Sequence, residues 1–111
     1  MPRWFRWDEP ELEATTYVEV GDDGWALRHV EVRDRESHPV TAETLVEVLH
    51  LRDHGTLAEM REYERRYGKG TVAEANLSDI ETDGQGHVVE VSEADFEQVW
   101  RPARRALDER P

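Results

Sequence analysis

Cysteine is absent from this 111-residue chain, which excludes a disulfide framework, a thiolate nucleophile and any zinc centre built on sulfur. The fold must stand on packing alone. Long apolar runs are missing too. Met1-Pro2-Arg3-Trp4 meets acid by Asp8, with no stretch long enough for a signal peptide or a spanning helix, so the expected setting is the cytosol, with no membrane partner. Lysine occurs once, at Lys69, the other 13 of the 14 basic residues being arginine. A bias toward GC-rich codons is the simplest reading of that; a use for planar guanidinium forks is the functional one.

Positive charge is also absent from two long stretches. Asp8 to Gly24 carries seven carboxylates and Glu74 to Gln98 carries eight, with no Lys or Arg in either. Together they hold 15 of the 26 acidic residues, leaving 11 acids against 14 bases elsewhere. The formal charge of −12 is therefore localised, and a localised field can select a partner. The same acidity disfavours nucleic acid, whose binders gain affinity by neutralising phosphates with a basic face.

What is present supports one folded domain spanning residues 1–111. Apolar residues are 37% of the chain and are grouped, with four Trp among them, enough for a modest core rather than disorder. Trp4 to Trp7 reads as a short strand ended by Pro10. Thr15–Val20 and Trp25–Arg33 are rich in β-branched and aromatic residues and flank Gly21-Asp22-Asp23-Gly24, an antiparallel hairpin signal. After a polar turn through Asp34 to Pro39, Thr41 to His54 carries Leu45, Val48, Leu49 and Arg52 at helical spacing, with Thr41 as cap and Gly55 as stop. Thr56 and Glu59 have capping-box spacing for a second helix ending at Gly68. Residues 69–74 read as linker, and Glu74–Ile80 and His87–Val91 as a second hairpin around Asp83-Gly84-Gln85-Gly86. Ser92 and Asp95 cap a last helix with Phe96, Val99, Trp100, Ala103 and Leu107 on one stripe; Pro102 predicts a kink or break near Trp100. The expected class is α+β: a small antiparallel sheet of two hairpins plus a short N-terminal strand, with helices packed on one face. Both acidic stretches then fall on hairpins, and the uncovered sheet face becomes an acidic surface.

No catalytic or cofactor signature accompanies this pattern, so no cofactor is expected. His50 and His54, four apart with Glu47 one turn earlier, permit a metal geometry, but no HExxH order or further ligand supports it. His54 near the helix end also suits the macrodipole. Ser92 is better read as a cap, and Ser37-His38-Pro39 as a loop without an elbow motif. The glycine turns lack a phosphate-binding pattern. Trp4, Phe5 and Trp7 read as core against Phe96 and Trp100, with an aromatic surface hot spot as the alternative. Arg101, Arg104 and Arg105 form a basic end on the last helix.

Tyr17-Val18-Glu19-Val20 with the acidic turn and Arg28-His29-Val30-Glu31-Val32 resembles the opening hairpin of a family of small bacterial α+β domains of unknown function. Val91-Ser92-Glu93-Ala94-Asp95-Phe96-Glu97-Gln98-Val99-Trp100 is similar to that family's last strand and helix. The match covers about half the chain and leaves out Thr41–Gly68. The resemblance implies a compact acidic protein of the kind found in toxin-immunity sets, without catalytic residues to carry over. The expected function is thus a non-enzymatic interaction domain whose acidic face, with Glu19, Asp22, Asp23, Asp79, Glu81 and Asp83, docks onto a basic protein partner such as a toxin. The rival reading is a small enzyme or ligand-binding domain with a pocket using His29, His50 or His87. Self-association into a homodimer through the aromatic end is a third.

Overall fold

The computed structural model describes residues 1–33, 38–70, 72–83 and 87–110, and of Asp83 the backbone only. Its strands are β1 (Arg3–Glu9), β2 (Ala14–Val20), β3 (Ala26–Arg33), β4 (His38–Thr44) and β5 (Val89–Val91). The helices are α1 (Leu45–His54), α2 (Leu57–Tyr67), α3 (Leu77–Asp83) and α4 (Glu93–Asp108), with 3-10 turns at Pro10–Leu12 and Val72–Glu74. The five strands form one antiparallel sheet in the order β4-β3-β2-β1-β5, so the chain is an α+β fold as its sequence predicts.

The β2–β3 hairpin forms where expected, with Gly24 at a φ of 87° in its turn, a conformation that costs glycine little. β1 pairs with β2 around the turn at Pro10, closed by Glu13 in the left-handed region at a φ of 51°. Phe5 faces Val18 and Arg6 faces Tyr17 across that pair. Because side chains alternate along a strand, this register divides the apolar residues between two faces. Tyr17, Val30, Val32 and Ala42 pack with Phe96, Trp100, Ala103 and Leu107 of α4, flanked by Trp4 and Tyr67. Phe5, Val18, Val20 and Ala26 pack on the other side with Val72 and Ile80, flanked by Trp7, Leu45, Val48 and Leu77. Helices therefore cover both faces of the sheet, not one. The nearly continuous burial of Thr16, Tyr17, Val18 and Val20 has this cause.

Three local expectations are corrected. Residues His38–Thr44 form a strand beside β3, and Thr41 is buried in it; the cap of α1 is Thr44, whose hydroxyl accepts the Glu47 N–H at 3.1 Å. The second hairpin does not exist. Leu77 to Asp83 is helical, with Ile80 buried against the sheet, and β5 pairs with β1 instead (Trp4↔Val91, Arg6↔Val89). Backbone bonds from Ala26 N–H to the Ala75 carbonyl and from Leu77 N–H to the Gly24 carbonyl tie the start of α3 to the β2–β3 turn. The expected glycine turn at 84–86, like Asp34–Ser37 of the turn before β4, lies outside the described residues. Finally, α4 runs unbroken through Pro102, which is exposed, while Trp100 and Ala103 beside it are buried.

The caps of α2 and α4 are as predicted: reciprocal boxes join Thr56 to Glu59 and Ser92 to Asp95. Gly68 ends α2 at a φ of 88°, where an added Cβ would lie 2.6 Å from the Val40 carbonyl oxygen, so close approach to β4 requires glycine.

Candidate functional site

Among the acidic side chains, one group is paired with arginine, another gathers at a cavity, and the rest lie scattered over the surface. Glu19 belongs to the first, which corrects its assignment to a docking surface. Its carboxylate faces Arg28 across β2 and β3 and accepts Nε and Nη2 of that guanidinium at 2.9 Å each, as well as the Trp4 indole N–H at 2.9 Å. Arg28 Nη2 also donates to Glu97 of α4 at 2.6 Å, and the guanidinium lies over Phe96 and Trp100, 4.8 and 5.1 Å from the ring centroids. Burial alone would lower the Arg28 pKa, but the bonds from both carboxylates outweigh it and hold it above its usual value. Glu97, which also accepts from Arg101 at 3.1 Å, is held below the carboxylate range. This is an internal clamp fastening α4 to the sheet.

The other predicted docking residues scatter. Asp22 holds the N-terminal ammonium of Met1, and Asp23 accepts the Trp25 backbone N–H at 3.1 Å within the turn. Asp79 and Glu81 lie exposed on α3. The side chain of Asp83 is outside the described residues. Of the five whose side chains are described, only Asp79 reaches the concavity where the acid gathers.

That concavity is an open cavity of about 1080 Å³ on the sheet face opposite α4. Glu9, at the end of β1, and Glu11, in the turn after it, line the cavity together with Glu74 of the second 3-10 turn and Asp79 of α3; Asp8 reaches its rim, but its carboxylate turns to Thr15 on the α4 side of the sheet. Val18, Ile80 and Trp7 supply apolar wall, and His29 and His87 also line it. Both base-free stretches thus converge on one site from distant parts of the sequence, and no lysine or arginine lines it among the described residues. Glu9 is oriented by the Trp7 indole at 3.3 Å. Sequence reading missed Glu9, Glu11 and Glu74; the signal was their membership in the same two stretches, but it required knowing that α3 is a helix folded back onto the sheet.

His29 is buried in β3, and its Nδ1 has no hydrogen-bond partner. Glu43, opposite on β4, is nearest, with Oε1 3.9 Å from Nδ1. That is too long for a hydrogen bond. Glu43 Oε1 instead accepts the Val72 N–H at 3.0 Å, and the carboxylate is further bonded by the Gly70 backbone. Burial lowers the His29 pKa to about 4, so the imidazole is neutral at neutral pH. Burial likewise raises Glu43, the two backbone bonds working against it.

The metal geometry at His50 and His54 gains nothing. The rings sit 5.4 Å apart on an exposed face, but Glu47 accepts the Tyr63 hydroxyl at 2.9 Å and Arg104 at 2.7 Å. Among the described residues no group of three or more His, Asp or Glu could hold a metal. Arg104, read as part of a basic helix end, is instead half-buried, over the Tyr67 ring at 3.6 Å. The N-terminal aromatics divide between faces: Trp4 joins the α4 side, Phe5 and Trp7 the other. Ser92 is a cap, as read, and Ser37 lies outside the described residues. No helix among the described residues is long and apolar enough to cross a membrane. No protein-family model, curated protein or solved structure matches the chain.

Proposed function

We propose that this chain is a non-enzymatic interaction domain that docks through its acidic concavity onto a basic protein surface, as an immunity-type inhibitor docks onto a toxin. The observation that carries the reading is the convergence of four acidic residues from two base-free stretches, Glu9, Glu11, Glu74 and Asp79, on one open site that no described lysine or arginine lines. Such a focused field raises the encounter rate with a positive partner and rejects polyanions. Elsewhere the carboxylates of Glu19, Glu97 and Glu47 serve the fold through Arg28 and Arg104, so the concavity is where charge is left over for a partner. The partial resemblance to toxin-immunity domains points the same way.

The test takes a partner captured at low salt and follows association kinetics. Raising salt from about 50 mM to about 500 mM, which shortens the screening length several-fold, should slow association by about tenfold or more. The triple variant Glu9→Gln, Glu11→Gln, Asp79→Asn should lose most of that dependence, while Asp22→Asn with Asp23→Asn should retain it. A partner bound with equal rate and affinity by the triple variant counts against the reading.

A second reading, a ligand-binding domain, is favoured by the presence of His29 and His87 in the same cavity. Thermal stabilisation by a small metabolite, abolished by substitutions of both histidines, would place it ahead of docking.

A further inference from the structure

A sheet in the order β4-β3-β2-β1-β5 has two edges, and this molecule treats them differently. An edge strand presents unpaired backbone N–H and C=O groups, a template on which another chain can add a strand. The β4 edge is closed. Arg104 of α4 donates to the Ala42 carbonyl at 3.0 Å, the Thr44 N–H donates to the Tyr63 hydroxyl of α2 at 3.2 Å, and Gly68 crosses against Val40 and Thr41. The β5 edge has no such cover. Val89–Val91 pairs with β1 on one side, and among the described residues no backbone or side-chain group bonds its backbone on the other. Val89 is 52% exposed at this edge. The three residues of β5 limit the pairing to a short segment.

The surroundings decide what such a segment must carry. Side chains alternate between faces, so every second residue of an added strand lies beside Val89, on the face where Val91 packs with the α4 core. The others lie beside Glu90. That carboxylate accepts Arg3 Nε and Nη2 at 3.1 and 3.0 Å, and Glu81 acts on the same guanidinium, so two carboxylates share one cation and negative charge is in surplus. A second copy of this chain is a poor occupant for the same reason. β5 lies within the base-free stretch Glu74–Gln98, and pairing two copies would set eight carboxylates against eight. A strand that is apolar on one face and basic on the other is complementary. His87, two residues before β5, lines the acidic concavity, so the edge and the concavity adjoin.

Resting on the docking reading, we propose that the β5 edge receives an extended segment of the basic partner as a sixth strand of the sheet, its apolar residues beside Val89 and its basic residues toward Glu90 and Glu81. Main-chain pairing adds a directional component that charge alone lacks, and the alternation of side chains sets which segments fit.

The probe is a pair of short synthetic peptides of alternating valine and lysine, identical except that one is N-methylated throughout and so has lost its backbone donors. Both are titrated into the full chain at about 50 mM salt, with amide hydrogen exchange followed by NMR. The unmodified peptide should bind about fivefold or more tightly, corresponding to about 1 kcal/mol, and should slow exchange in β5 by about tenfold or more at saturation while leaving β4 unchanged. Val89→Lys, at an exposed position, adds the charge that guards natural edges and should weaken the unmodified peptide several-fold; Val46→Lys, on the exposed face of α1, should not. Equal affinity for the two peptides, or unchanged exchange in β5 at saturation, overturns the added strand while leaving acidic docking intact. Binding of neither peptide overturns it as well, and the salt response of the captured partner then decides the docking reading by itself. Protection in β5 that grows with protein concentration before any peptide is added makes a second copy the occupant and likewise overturns the proposal. Should Val89→Lys not fold, exchange of the wild-type β5 amides decides.

Discussion

Lowering the pH from neutral should destabilise this protein through a single histidine, beginning above the range in which carboxylates titrate. The unfolded chain binds a proton at His29 near its ordinary value of 6.5, whereas the folded protein refuses it until about 4. Between those values the unfolded state carries more protons, so stability rises with pH across the window. The contribution is fully present above about 6.5 and is lost as pH falls toward 4. A difference of this size is worth about 3 kcal/mol at 1.36 kcal/mol per pKa unit, a large share of the 5–15 kcal/mol typical of a domain, about 10 being the middle of that range. Glu43 works in the opposite direction, because its raised pKa gives stability at low pH that is lost as pH rises through the folded value. The measurement is urea unfolding at pH 7, 6 and 5 for the wild type and for His29→Phe, which keeps a flat ring and cannot titrate. The free-energy difference between the two proteins should shift by about 2 kcal/mol in favour of the variant between pH 7 and 5. Parallel pH profiles would refute the reasoning, since they would mean that the imidazole is hydrated or paired in the native state.

The remaining perturbations address the fold. Arg28→Ala leaves Glu19 and Glu97 facing each other beneath α4 without their shared cation and should cost about 3–5 kcal/mol, read from denaturant midpoints; a loss below about 1 kcal/mol would show the clamp to be dispensable. Replacing Glu13, at a φ of 51°, by glycine should stabilise by about 0.5–1 kcal/mol and raise the melting temperature by a few degrees, because the left-handed conformation no longer strains a Cβ. Trp4→Phe retains the ring but removes the indole donor to Glu19; about 1 kcal/mol of destabilisation is expected, and the loss should shrink in a Glu19→Gln background in a double-mutant cycle.

Local chemistry was legible in the sequence wherever neighbours along the chain decide the structure. Thr56 with Glu59, Ser92 with Asp95, Gly55, Gly68 and the Gly21–Gly24 turn all act within a few residues, and the boundaries they set are where the spacing puts them, the start of α1 at Thr44 rather than Thr41 excepted. The failures occur where a distant partner decides. Val40 and Thr41 have strand character, but only the edge of β3 makes His38–Thr44 a strand. Glu74–Ile80 resembles a strand by its acid and by the following glycines, yet Leu77 and Ile80 lie three apart and meet the sheet as a helix. That one error moved the acidic site. As a hairpin strand this segment would have displayed its carboxylates on an open sheet face; as a turn leading into α3 it brings them to the cavity that Glu9 and Glu11 line. Glu19 was misassigned for a related reason: a residue directly opposite Arg28 in the hairpin was already implied by the register, but α4 above it was not.

The division between paired and gathered acid has a thermodynamic consequence that distinguishes it from acidity in general. Beneath α4 the carboxylates are matched with guanidinium groups at 2.6–2.9 Å and partly buried, where salt screens little. Around the cavity Glu9, Glu11, Glu74 and Asp79 repel one another near the surface, where screening is effective. Added salt should therefore relieve the repulsion more than it weakens the pairs, and the melting temperature should rise between about 10 mM and about 500 mM sodium chloride. Neutralising the same repulsion by Asp79→Asn should raise it at low salt and reduce its further response to salt, whereas Asp53→Asn, on the exposed end of α1 beside Arg52, should do neither. A melting temperature that falls with salt would mean that the screened ion pairs outweigh the repulsion, and an equal response to both substitutions would mean that the negative charge acts as a uniform coat. In that case the concavity would hold no excess field with which to draw a basic partner.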